Sequence, residues 1–172
     1  MKILDFAIDV EQAERDLYRR LAVCTQHEGI RSIFRMIADD EGKLLKKLRQ
    51  LKDDPENNSI ELNAQQHVPN SLRKNQAGNC ELLDQNNVRD DLSGYSYILK
   101  TEQLLLNLYL NLKEREQDPE AKALFDLILQ EKQSEIDRIH TIFDFVNAPN
   151  EYLAWGEFSN IGEFHNFGRD ED

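Results

Sequence analysis

The sequence predicts an all-α fold: a four-helix bundle with a long crossover between its second and third helices and an aromatic C-terminal tail. Three observations predict it. Seven Gly and four Pro among 172 residues, with abundant Leu, Glu, Lys and Gln, favour helix over sheet. Four long stretches carry apolar residues at helical spacing. The segments joining them run short, long, short, which makes two antiparallel hairpins linked by a crossover.

The first stretch runs from about Ile3 to Cys24, with Ile3, Phe6, Ala7, Val10, Leu17, Tyr18 and Leu21 on one side. "HEGIRS" breaks it, Gly29 being the expected stop. The second runs from about Arg31 to Leu51 with Ile33, Phe34, Ile37, Leu44, Leu45, Leu48 and Leu51 inward. A polar connection over about 52–90 follows, with a short helical piece expected near "CELLD". The third helix starts near Asp91 and carries Leu92, Tyr95, Ile98, Leu99, Leu105, Leu106, Tyr109 and Leu112. In "EREQDPEAK", Asp118 reads as an N-cap and Pro119 as the first helical residue. The fourth helix carries Leu124, Leu127, Ile128, Ile139, Ile142, Phe143 and Val146 and is expected to end at "NAPN". The bundle thus spans 1–147 and the tail 148–172.

A net charge of −12 argues against nucleic acid, since binding phosphates needs a basic surface. No apolar run approaches the roughly 20 residues that span a bilayer. The opening "MKILDFAIDVEQAERD" is acidic from Asp5 and has no small-residue cleavage site, so it does not read as a signal peptide. A cytoplasmic location is the expectation. Cys24 and Cys80 lie far apart at no metal or redox spacing and are expected as free thiols.

The two halves repeat. Glu11 precedes Tyr18 by seven residues, as Glu102 precedes Tyr109, and Glu41 and Glu131 follow in step at an offset of 90 to 91 residues. This predicts two similar hairpins related by an approximate two-fold axis. At about 100° per residue, Glu11, Glu41, Glu102 and Glu131 each project toward the apolar side of their helix. Four buried carboxylates need protons or cations. A pair of divalent ions would supply the charge; rim positions paired with basic residues are the alternative.

"AIDVEQAERDLYRRLA" and "LKTEQLLLNLYLNL", with "IFRMIADDEGKLLKKL" and "LFDLILQEKQSEIDRI", resemble the ferritin-like superfamily, in particular its rubrerythrin-like branch. In that pattern each half has a helix with Glu then Tyr seven on, followed by a helix with Glu-x-x-His. The resemblance covers about residues 3–147. It implies a ferritin-like fold and a site for two irons or another divalent metal, with Glu11, Glu41, Glu102 and Glu131 as ligands. Tyr18 and Tyr109 would hydrogen-bond the ligating carboxylates.

The pattern's histidines would fall at Leu44 and Ser134, and both are missing. None of His27, His67, His140 or His165 has the motif's spacing. An all-oxygen set suits harder ions than iron. Glu14 and Glu135, each one turn from a candidate ligand, are candidates to substitute. Arg138, seven residues after Glu131, is a candidate to neutralise the cluster and leave no metal at all.

The tail holds Tyr152, Trp155, Phe158, Phe164 and Phe167, more than a third of the chain's aromatic residues. It lacks a Cys-x-x-Cys, so no rubredoxin-type electron donor is expected. Such aromatics are expected to pack on the bundle or on a partner subunit, a homodimer before a membrane. Two functions remain open. One is a metal-binding protein with iron oxidation or peroxide reduction as its chemistry, its electron donor unassigned. The other is a structural or interaction protein that keeps the fold without metal. Arg138 or Lys132 turned inward toward the glutamates would favour the second.

Overall fold

The computed structural model describes residues 1–57, 60–62, 69, 88 and 90–163, with 146–163 as backbone only. Among these residues are four helices: α1 (Ile3–Cys24), α2 (Glu28–Lys52), α3 (Asp91–Arg115) and α4 (Pro119–Glu163). The chain divides into two compact units, Met1–Ile136 and Asp137–Asp172. The first is an all-helical bundle. No helix among the described residues is long and apolar enough to cross a membrane.

α1 and α2 are antiparallel neighbours. Lys52 at the end of α2 pairs with Asp5 at the start of α1 at 2.8 Å, and Arg49 donates to Gln12 at 3.0 Å. Their turn is closed by Thr25, whose N–H donates to the Leu21 carbonyl at 2.9 Å. The Thr25 hydroxyl accepts from the His27 N–H at 3.2 Å. Gly29 does not stop a helix; it lies inside the first turn of α2. Its missing Cβ leaves room for α3, because a Cβ there would meet the Asp91 carboxylate at 2.6 Å. From that position Asp91 accepts the Ile30 N–H at 3.1 Å and caps α2 from a neighbouring helix.

α3 begins with a capping box. Asp90 accepts the Ser93 N–H at 2.7 Å, and the Ser93 hydroxyl accepts the Asp90 N–H at 3.1 Å. Gly94 allows the close approach of α2, where a Cβ would lie 2.3 Å from Ile30 Cγ1. Before α4, Asp118 accepts the Glu120 N–H at 2.9 Å, the cap its sequence position suggested. α4 then runs on through the "NAPN" segment to Glu163, past the expected end. A proline inside a helix forfeits one hydrogen bond and strains the turn, but it does not always end the helix.

Where the crossover begins, it returns to the N-terminus. The Ile3 N–H donates to the Ile60 carbonyl at 3.1 Å and the Leu62 N–H to the Met1 carbonyl at 2.8 Å. The helical piece expected near "CELLD", together with His67, Cys80, Phe164, His165 and Phe167, lies outside the described residues. So do the side chains of Tyr152, Trp155 and Phe158. Cys24 is disulfide-bonded, which corrects the expectation of a free thiol; separation along the chain says nothing of distance in the fold.

The core of the first unit is continuous around Phe6, Val10, Leu17, Phe34, Ile37, Leu48, Ile98, Phe125 and Ile128, all fully buried. On α4 Ala121, Phe125, Ile128, Lys132 and Glu135 form one buried row, alternating by four and three along the helix. That register places a lysine at the centre of the bundle.

Candidate functional site: a buried lysine among five glutamates

Every helix contributes to one polar cluster in this apolar core. α1 brings Glu11 and Glu14, α2 brings Glu41, α3 brings Glu102, and α4 brings Lys132 and Glu135. Lys132 Nζ lies 3.0 Å from Glu11 Oε2, 2.6 Å from Glu41 Oε1, 3.5 Å from Glu102 Oε2 and 3.8 Å from Glu135 Oε2. It also donates to Glu14 Oε2. Tyr18 donates its hydroxyl to Glu102 Oε1 at 2.5 Å, and Tyr109 donates to Glu11 Oε1.

The two tyrosine contacts are images of one another. Adding 91 to Tyr18 gives Tyr109, and subtracting 91 from Glu102 gives Glu11. Each tyrosine packs against a phenylalanine in the same relation: Tyr18 on Phe34 with ring centroids 6.0 Å apart, and Tyr109 on Phe125 at 6.3 Å. The step of 91 is constant across the core. It pairs Ile37 with Ile128, Leu45 with Ile136 and Leu48 with Ile139.

Three of the four glutamates expected to point inward do so: Glu11, Glu41 and Glu102 are buried. Glu131 is not among them. Its side chain is 42% exposed and pairs with Lys47 at 2.5 Å. The counterpart of Glu41 at the constant step is Lys132, 91 residues on. The second vacant histidine position likewise moves from Ser134, which is exposed, to Glu135, the counterpart of Leu44. Arg138 and the described histidines, His27 and His140, are exposed. The candidate substitutes Glu14 and Glu135 are both in the cluster.

The charges are unequal: five carboxyl groups surround one ammonium. Burial would lower the lysine's affinity for its proton, but the surrounding Glu102, Glu11, Glu14 and Glu41 raise it well above the usual lysine range. Lys132 is therefore a fixed cation and not a nucleophile. Burial would also raise Glu11, yet Lys132 and hydrogen bonds shared with Glu41 and Tyr109 bring it below the usual carboxylate range.

The other carboxyls go the opposite way. Burial, then the charge of Glu102, pushes Glu14 well up. Burial does the same to Glu41, against the pull of Lys132. Burial raises Glu135 to about 7. Tyr18 and Tyr109, buried and facing carboxylates, are raised well above the usual tyrosine range and stay neutral donors.

No family model, curated protein or solved structure matches the chain. The chemistry of the site therefore rests on its own geometry. Two triads of carboxylates, Glu11–Glu14–Glu41 and Glu41–Glu102–Glu135, bring oxygens within 4.8 Å of one another and share Glu41. A pair of irons does not fit this arrangement. The Lys132 ammonium lies against all three members of the first triad, and neither Leu44 nor Glu135 offers an imidazole. Among the described residues, all the cluster's acceptors are oxygens, a set for ammonium, protons or a hard cation.

Proposed function

We propose that this chain is a ferritin-like bundle of the rubrerythrin-like kind in which a lysine ammonium has replaced one metal ion. On this reading it serves as a structural or interaction protein and not as a di-iron oxidoreductase. The carrying observation is Lys132, whose side chain is fully buried at the meeting point of all four helices and whose Nζ lies within 3.8 Å of five glutamates. The ferritin-like assignment draws on the doubled Glu-then-Tyr helices and the reciprocal Tyr18–Glu102 and Tyr109–Glu11 contacts.

Oxygen chemistry at a metal pair needs an open coordination site and ligands that hold each ion in place. Here the ammonium occupies the space one ion would need, and it carries its charge at every physiological pH. The protein would be incubated anaerobically with ferrous iron, desalted, and assayed for iron and for peroxide consumption. Fewer than two irons per chain and no peroxide turnover are expected. Two tightly held irons per wild-type chain, lost in a Glu41→Ala variant, would overturn the proposal.

A further inference from the structure

We propose that the outward face of α3 is an interface between two copies of this chain, packed antiparallel about a two-fold axis at Asn107. The inference goes beyond the proposed function and stands apart from it. At about 100° per residue, exposed Asn107 lies about 140° round α3 from buried Glu102.

The first observation is what this face lacks. Between Lys100 and Lys113 the exposed residues of α3 are Gln103, Leu104, Asn107, Leu110 and Asn111, and none is charged. Over a similar length α2 exposes Arg35, Asp39, Lys43, Lys46 and Lys47. Leu104 is 57% exposed and Leu110 40%. In a chain of which 31% is charged, a helix face with open leucines and no charge marks a surface that a partner covers.

The second observation says what covers it. In an antiparallel pair about a two-fold axis, residues equally far along the helix on either side of the axis meet one another's copies. Leu104 and Leu110 stand three residues either side of Asn107, Gln103 and Asn111 four, and Lys100 and Glu114 seven. Leucine therefore meets leucine, amide meets amide, and lysine meets glutamate. Asn107 falls on the axis and meets itself, which an amide can do because it both donates and accepts.

The amides already form a row along the helix. Gln103 donates to the Asn107 side-chain oxygen at 3.5 Å, and Asn111 donates to the Asn107 carbonyl at 2.6 Å. Lys100 and Glu114 are exposed and form no ion pair among the described residues. A net charge of −12 makes two copies repel one another over most of their surface. Here each copy offers the cation that the other copy's Glu114 needs. The face is smaller than the roughly 20–30 residues a side of a standard interface, so the dimer should be weak, with a Kd on the order of micromolar.

The full chain would be followed by sedimentation velocity at concentrations on the order of micromolar to hundreds of micromolar, which bracket a weak interface. A concentration-dependent monomer–dimer equilibrium is expected. Leu104→Glu puts a carboxylate against an apolar contact twice per dimer and should weaken association by about tenfold or more. Lys100→Glu and Glu114→Lys should each weaken it by about fivefold or more, since two exposed pairs become like-charged. The double variant Lys100→Glu/Glu114→Lys should restore the wild-type dimer. These residues are exposed, and circular dichroism would establish that each variant is folded.

A wild-type chain that stays monomeric throughout would overturn the inference and leave the proposed function standing. A dimer unchanged by Leu104→Glu would place self-association elsewhere on the chain and overturn the assignment of this face. A double charge swap no better than its single parents would overturn the antiparallel register. Should any variant fail to fold, the wild-type equilibrium and the remaining swaps still decide.

Discussion

Lys132 and Glu131 are neighbours in sequence, and their substitution should have very different consequences. Lys132→Met keeps much of the volume but leaves buried carboxylates without their cation, so a loss of roughly 3–5 kcal/mol is expected in urea unfolding. Glu131→Gln removes one half of an exposed pair with Lys47 and should change stability by about 1 kcal/mol or less. Equal effects would show that the register of α4 is wrong. The tyrosines provide a second test. Tyr18→Phe and Tyr109→Phe each delete one hydrogen bond to a buried carboxylate, worth about 1.5–3 kcal/mol. Because the contacts are related by the same step, the two losses should be similar.

At the scale of the element, two glycines inside helices predict opposite signs. Gly42 on α2 has open space, the nearest atom to an added Cβ being Arg15 Cδ at 4.0 Å. Gly42→Ala should therefore stabilise by about 0.5–1 kcal/mol through helix propensity. Gly94 on α3 faces Ile30 at 2.3 Å, so Gly94→Ala should destabilise by roughly 1–3 kcal/mol despite the same propensity gain. Thermal melts of both variants measure the difference. The same contrast explains which boundaries the sequence reveals. Asp118 and Pro119 carry a local signal, a cap and a preset φ, and the helix starts where they say. Gly29 was ambiguous, because a glycine that ends a helix and one that admits a neighbouring helix look identical in a linear chain. Only the position of Asp91 distinguishes them.

Across the whole bundle, the raised carboxyls reverse the usual response to acid. Glu135 holds its proton in the folded state up to about pH 7, from an ordinary value of 4.5. Between those values the folded chain binds a proton that the unfolded chain has released, so stability falls as pH rises through the interval. A gap of that size corresponds to roughly 3 kcal/mol. Glu14 and Glu41 act in the same direction, and Glu11 in the opposite one. With chelator present, the melting temperature should be higher at pH 5 than at pH 8, and Glu135→Gln should flatten the slope. A higher melting temperature at pH 8 would contradict a protonated core.

The bundle was legible at this scale because hydrophobic periodicity and connection length survive in a single sequence. The site was legible only in part. Glu11, Glu41, Glu102 and both tyrosines followed from spacing, whereas Lys132 was hidden by its charge. A lysine on a helix normally reads as surface, and accepting Glu131 required letting the repeat slip from 91 to 90. Holding the step constant through Phe34 and Phe125 would have exposed the slip.

The crossed tyrosine contacts also bear on how such a chain can be dry inside. Tyr18 serves a glutamate of the second hairpin and Tyr109 one of the first, so neither phenol serves an acid of its own hairpin. A polypeptide carrying only one hairpin would have an idle phenol and a glutamate without its tyrosine hydrogen bond. Its nearest remedy would be another copy of itself. Carrying both hairpins in one chain makes these reciprocal contacts intramolecular.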